Sequence, residues 1–122
     1  MNENHLRIIS ITLNIIEKDI DEIEKYLNNV PAGRMYDVVD DLTCEQKQEL
    51  SIKTKSLRSL INEIADYFNL KPSRTSLRAM VQSKMTINWA NVCDIEPARL
   101  KAYGTVDTGM IKILNYYIRP VQ

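Results

Sequence analysis

Leu6, Ile9, Leu13, Ile16, Ile20, Ile23, Leu27 and Val30 follow one another at alternating spacings of 3 and 4 residues, and all eight are aliphatic. Such a 3.5-residue repeat keeps one apolar seam turned toward a neighbouring helix. It predicts a helix from about residue 4 to residue 29. A second pattern competes at the front. Ile9, Ile11, Leu13 and Ile15 alternate with Ser10, Thr12 and Asn14, which is strand periodicity, and Ile and Thr favour strands. The seam runs unbroken to Val30, well past the usual length of a strand, and this decides for helix.

Ile8, Ile11 and Ile15 form a second apolar line on another face, and Glu22 occupies its next heptad position. The front half of the helix is thus apolar on two faces and the back half on one. A helix apolar on several sides needs cover on several sides. The candidates are the C-terminal helix around Ile113, Leu114 and Tyr117, or another protein chain. The C-terminal helix is short, so Ile8, Ile11 and Ile15 are predicted to be protein-interaction residues, with a two-fold homodimer as the simplest case.

Val30-Pro31-Ala32-Gly33 closes the first helix, since the residue before a proline is disfavoured in helix. Thr43 with Gln46 reads as a capping box. The helix it opens carries a seam of Leu50, Thr54, Leu57, Ile61, Ile64 and Phe68, widened by Leu60. Asn69-Leu70-Lys71-Pro72 breaks it. Ser73 or Thr75 is expected to cap a third helix with Leu77, Val81, Met85, Trp89 and Val92 as its inner face. A short helix follows from Asp94 or Glu96, with Pro97 in its first turn and Gly104 as terminator. Asp107 is expected to cap a last helix, from about Thr108 to Ile118. The predicted fold is all-α: a four-helix bundle built as a single domain over residues 1–122, with a long antiparallel hairpin, two further helices and a short extra one. With 122 residues, 3 glycines and 4 prolines, the chain suits a few long elements better than many short strands.

Net charge is zero, but its distribution is uneven. Residues 1–50 carry 5 basic and 11 acidic groups, and residues 51–90 carry 7 basic and 2 acidic. If the first two helices pack antiparallel about residue 37, Glu17, Asp19, Asp21, Glu22 and Glu24 face Lys53, Lys55 and Arg58. Flanking pairs of this kind set partner and orientation. Most of the imbalance is then used inside the fold rather than as a nucleic-acid patch.

The constellations needed for catalysis or metal binding are missing. His5 is the single histidine and has no ligand partners nearby. Cys44 and Cys93 are 49 residues apart, with no C-x-x-C, which fits neither a disulfide framework nor a zinc site. Cys93 adjoins Asp94 at a helix end, where both oppose a thiolate. Asp37, Asp40 and Asp41 lack the glycine and spacing of a calcium loop or a phosphate cradle. No acidic residue lies in either seam. No cofactor or metal is expected. The apolar run 6–16 is too short for a membrane span and, with Glu3 ahead of it, does not resemble a secretion signal. A reducing, cytoplasmic location is expected. Trp89, Tyr116 and Tyr117 are read as core residues.

Residues 64–81 resemble a helix-turn-helix: a small Ala65, Asn69 four residues later, apolar Leu70, a polar cap and a second helix. Lys71, Arg74 and Arg78 would then stand near the front of that helix, where such motifs meet DNA. Thr75 takes a position that is apolar in these motifs, and the first helix is long for one. The sequence therefore points first to a non-enzymatic module acting through protein–protein interaction or self-association. The second reading is a DNA-binding regulator using Lys71, Arg74 and Arg78 as its anion contacts.

Overall fold

The structure, a computed structural model, describes residues 2–118. It is all-α. Helix α1 spans Glu3–Asn28, α2 Cys44–Tyr67, α3 Leu77–Cys93, α4 Pro97–Leu100 and α5 Thr108–Ile118, with a 3₁₀ turn at Lys101–Tyr103. Among the described residues there is no strand, and residues 8–15 are helical throughout. The chain divides into two compact units, Met1–Pro72 and Ser73–Gln122.

The first unit is an antiparallel helical hairpin. Asn2 caps α1, its side-chain oxygen accepting from the His5 N–H at 2.8 Å. The capping box of α2 is complete. Thr43 Oγ1 accepts from the Gln46 N–H at 3.1 Å, and Gln46 Oε1 accepts from the Thr43 N–H at 2.9 Å. The two seams meet, with Ile20 and Ile61 buried at their centre. Thr54 sits in the α2 seam without an orphaned hydroxyl, because Oγ1 donates to the Leu50 carbonyl at 2.7 Å. Leu60, expected to widen that seam, is exposed.

The acidic back of α1 does meet the basic middle of α2, through Arg58. Its guanidinium reaches Asp21 at 2.8 Å and Glu24 at 3.1 Å. Lys53 instead pairs with Glu49 of its own helix, at 3.0 Å. The register also differs from expectation. The hairpin folds about residue 40 rather than residue 37, as the Arg58 pairs and the Ile20–Ile61 level place it. The connection is asymmetric: Pro31 ends α1 early, and α2 starts only at its Thr43 cap. The first turns of α2 therefore run past the end of α1, and residues 3–12 of α1 run past the end of α2.

Helix α2 ends in a Schellman motif. The Leu70 N–H donates to the Ala65 carbonyl at 2.8 Å and the Asn69 N–H to the Asp66 carbonyl at 3.1 Å. Asn69 takes the left-handed conformation this closure needs, at φ 51°. Leu70 is half-buried.

In the second unit, Ser76 caps α3 by accepting from the Ala79 N–H at 3.3 Å, so the cap is neither Ser73 nor Thr75. The expected inner face of α3 is not buried. Leu77, Val81, Met85 and Trp89 are all exposed, and only Val92 and Cys93 at its end are partly covered. The small core of this unit lies instead between α4 and α5. Pro97 and Ile118 are buried there, with Leu100, Ile111 and Leu114 half-buried. Pro97 stands in the first turn of α4, where its missing N–H costs nothing. Asp107 caps α5, accepting from the Met110 N–H at 2.8 Å. Met110, Ile113 and Tyr117 are exposed, and Tyr116 and Tyr117 meet edge to face at 5.1 Å on the surface rather than in the core.

Candidate functional site

Helix α1 carries two apolar faces in very different surroundings. The seam residues Leu6, Ile9, Leu13, Ile16 and Leu27 are half-buried and Ile20 is fully buried. Ile8, Ile11 and Ile15 keep 58%, 53% and 56% of their surface exposed. At 3.6 residues per turn the two lines are roughly 145° apart around the helix. The line continues in sequence through Lys18 and Glu22, both exposed. It is a narrow apolar strip that becomes charged beyond Ile15.

A second feature, which sequence reasoning did not single out, is an open groove of about 670 Å³ at the closed end of the hairpin. Tyr26, Leu27, Val30, Pro31, Tyr36 and Val38 form its apolar walls, and Asp40, Asp41 and Lys47 its polar side. It exists because the connection folds back over the overhanging first turns of α2. A small antiparallel bridge between Ala32 and Asp37 and the Gly33 N–H donating to the Tyr36 carbonyl at 2.9 Å shape the turn. A side chain at Gly33 would run into the Tyr36 ring, with Cε1 only 2.5 Å from the new Cβ. The signal available in sequence was the run of apolar residues inside a proline-containing loop, which reads equally as a packed connection.

The acidic run 37–41 is structural. Asp40 is bound by the Lys47 ammonium and accepts from the Leu42 N–H at 3.3 Å. The Lys47 hydrogen bond above all, and then the Leu42 N–H, hold its carboxyl below the usual range. The pairs with Asp21 first and Glu24 second raise the already high pKa of Arg58 further. Among the described residues, no group of three or more His, Cys, Asp or Glu side chains is gathered so as to hold a metal ion.

The three basic residues of the helix-turn-helix resemblance do not share a helix. Lys71 and Arg74 lie in the connection between α2 and α3, and Arg78 alone lies in the first turn of α3. They are also split between the two units, Lys71 in the first and the two arginines in the second. The connection covers residues 68–76, whereas a helix-turn-helix uses a turn of about three or four residues. Ala65, Asn69 and Leu70, which suggested the motif, are the residues that close the Schellman motif.

No protein-family model, curated protein or solved structure matches the chain.

Cys44 is exposed and Cys93 half-buried, and no disulfide joins them. No described helix is long and apolar enough to cross a membrane.

Proposed function

We propose that the protein is a small, non-enzymatic helical module that works by protein–protein contact, and that the face of α1 bearing Ile8, Ile11 and Ile15 is its binding surface. The observation that carries this reading is the exposure of three isoleucines on consecutive turns of one helix, on a face roughly 145° from its seam. Full burial of an isoleucine is worth about 1.5–3 kcal/mol, and covering the half of each side chain still open would give roughly half of that. Soluble chains keep such strips where they make contacts. The bundle arrangement expected from the sequence belongs to the same reading, and its support is the antiparallel α1–α2 pair. So does a cytoplasmic location, whose support is a sequence with two cysteines 49 residues apart rather than a disulfide framework.

The test is the triple variant Ile8→Gln, Ile11→Gln, Ile15→Gln, followed by circular dichroism during heating. Glutamine is a good helix former, so α1 itself is not weakened. At low concentration, where any assembly of the parent has come apart, the expected result is an unchanged helical spectrum and a melting temperature close to that of the parent. A variant that unfolds, or melts well below the parent, under that condition would make the strip part of the core and end the proposal.

A further inference from the structure

The strip does not have a neutral surround, and its charges distinguish between ways of covering it. In heptad terms Ile8 and Ile15 occupy one core position and Ile11 the other, with Lys18 and Glu22 continuing the same line. Arg7 flanks the line near its start. Asp21 flanks it on the same side, further along. Asp21 is already held by Arg58, but its side chain keeps 59% of its surface exposed and can accept a second partner.

Consider first a parallel, in-register pair of α1 helices. Isoleucine would meet isoleucine in three layers, but Lys18 would then face Lys18 and Glu22 would face Glu22. The flanking positions would set Arg7 beside Thr12, Asn14 beside Asp19 and Asp21 beside Tyr26. No opposite charges meet. In an antiparallel pair related by a two-fold axis, residues on the same flank of each helix meet instead. When Ile11 packs against Ile15 of the second copy, Arg7 comes beside Asp21 of the second copy, twice by symmetry. On the other flank His5 comes beside Asp19. The ends of the strip are also accommodated. Lys18 lies over Ile8 of the second copy, where its methylene stem can cover the isoleucine while the ammonium stays in water.

We infer that the occupant of the strip is a second copy of this chain, its α1 packed antiparallel with Ile11 against Ile15 and Arg7 against Asp21 across a two-fold axis. This rests on the preceding reading of the strip as a binding surface and adds the partner and its orientation. The pairing is isologous, so it closes at two chains.

Two measurements on the full chain test it. In a Cys44→Ser, Cys93→Ser background, nitroxide labels are placed singly through Asn4→Cys or Thr12→Cys, both at exposed positions, and inter-copy distances are read by pulsed electron resonance. At 1.5 Å per residue the antiparallel register puts the two Asn4 sites roughly 30 Å apart and the two Thr12 sites within roughly 20 Å. Two short distances would mean a parallel pair and overturn the orientation while leaving the strip as the interface. Two long distances would put the contact elsewhere and overturn both. The second measurement is the dimer dissociation constant of Arg7→Glu, expected to rise by roughly tenfold through the two symmetric pairs it reverses. An unchanged constant would overturn the charge pairing. A parent chain that stays monomeric at all concentrations would remove the second copy as occupant, independently of whether the triple isoleucine variant folds.

Discussion

Single residues settle several points that spacing alone left open. Asn69 is the clearest. In sequence it served equally as the turn residue of a DNA-binding motif and as a helix stop. Its left-handed backbone, with the Leu70 and Asn69 amides closing onto Ala65 and Asp66, makes it the stop. A Cβ in that conformation is strained unless the side chain is Asn, Asp or absent. Asn69→Gly should therefore leave stability close to that of the parent, while Asn69→Ala should lose about 1 kcal/mol in urea unfolding. At the other end of α2 the capping box was legible in full, because Thr and Gln three residues apart satisfy each other's backbone donors. Thr43→Ala should cost about 1 kcal/mol. Asp40 gives the hairpin a definite acid sensitivity. Its folded pKa lies below its ordinary value of 3.8. Its contribution is thus complete above that value and is lost as the pH falls through the lower, folded pKa. Melting curves from about pH 6 to pH 2 should fall more steeply in the parent than in Asp40→Asn, where this one carboxylate is absent.

At the scale of elements, the heptad of α1 outweighed the strand-like alternation of residues 9–15, and the helix runs from Glu3 to Asn28 without interruption. Both patterns describe the same isoleucines. The alternation arose because two helical stripes, offset on the surface of one helix, happen to interleave along the chain. The antiparallel pairing and its charge logic were also legible, but not the register. Charge complementarity tolerates a shift of roughly one and a half turns when several acids precede a single well-placed arginine. The positions of Pro31 and Thr43, rather than the charges, fix where each helix can end. Ile20 is the fully buried side chain at the centre of this contact, so Ile20→Ala should be costly, about 3 kcal/mol in chemical unfolding. The helix-turn-helix resemblance was not sustained at this scale, since its basic residues are spread over a connection and a first turn. Accordingly, duplex DNA should not be retained at physiological salt, and replacing Lys71, Arg74 and Arg78 with Glu should leave that result unchanged in a gel-shift assay.

For the molecule as a whole, the all-α class followed from periodicity and scarce turn residues. The division into units and the exposure of α3 did not. Its apolar positions recur at helical spacing, yet Leu77, Met80, Val81, Met85 and Ile87 are all exposed. Periodicity reports that a helix has an apolar face and is silent on what lies against it. The same limit applies to α1, where two equally regular lines of aliphatic residues have opposite fates. Only the structure separates the line that is largely covered from the line that is not. That separation underlies the functional account: the seam holds the hairpin together, and Ile8, Ile11 and Ile15 are the residues proposed for contact with another chain. The most direct measurement is the solution mass of the parent and of the triple Ile→Gln variant, by light scattering over a range of concentrations. The account predicts that the parent approaches twice the chain mass as concentration rises, while the variant stays at one chain mass with its helices intact. A variant that still associates like the parent, or that loses its fold, would contradict it.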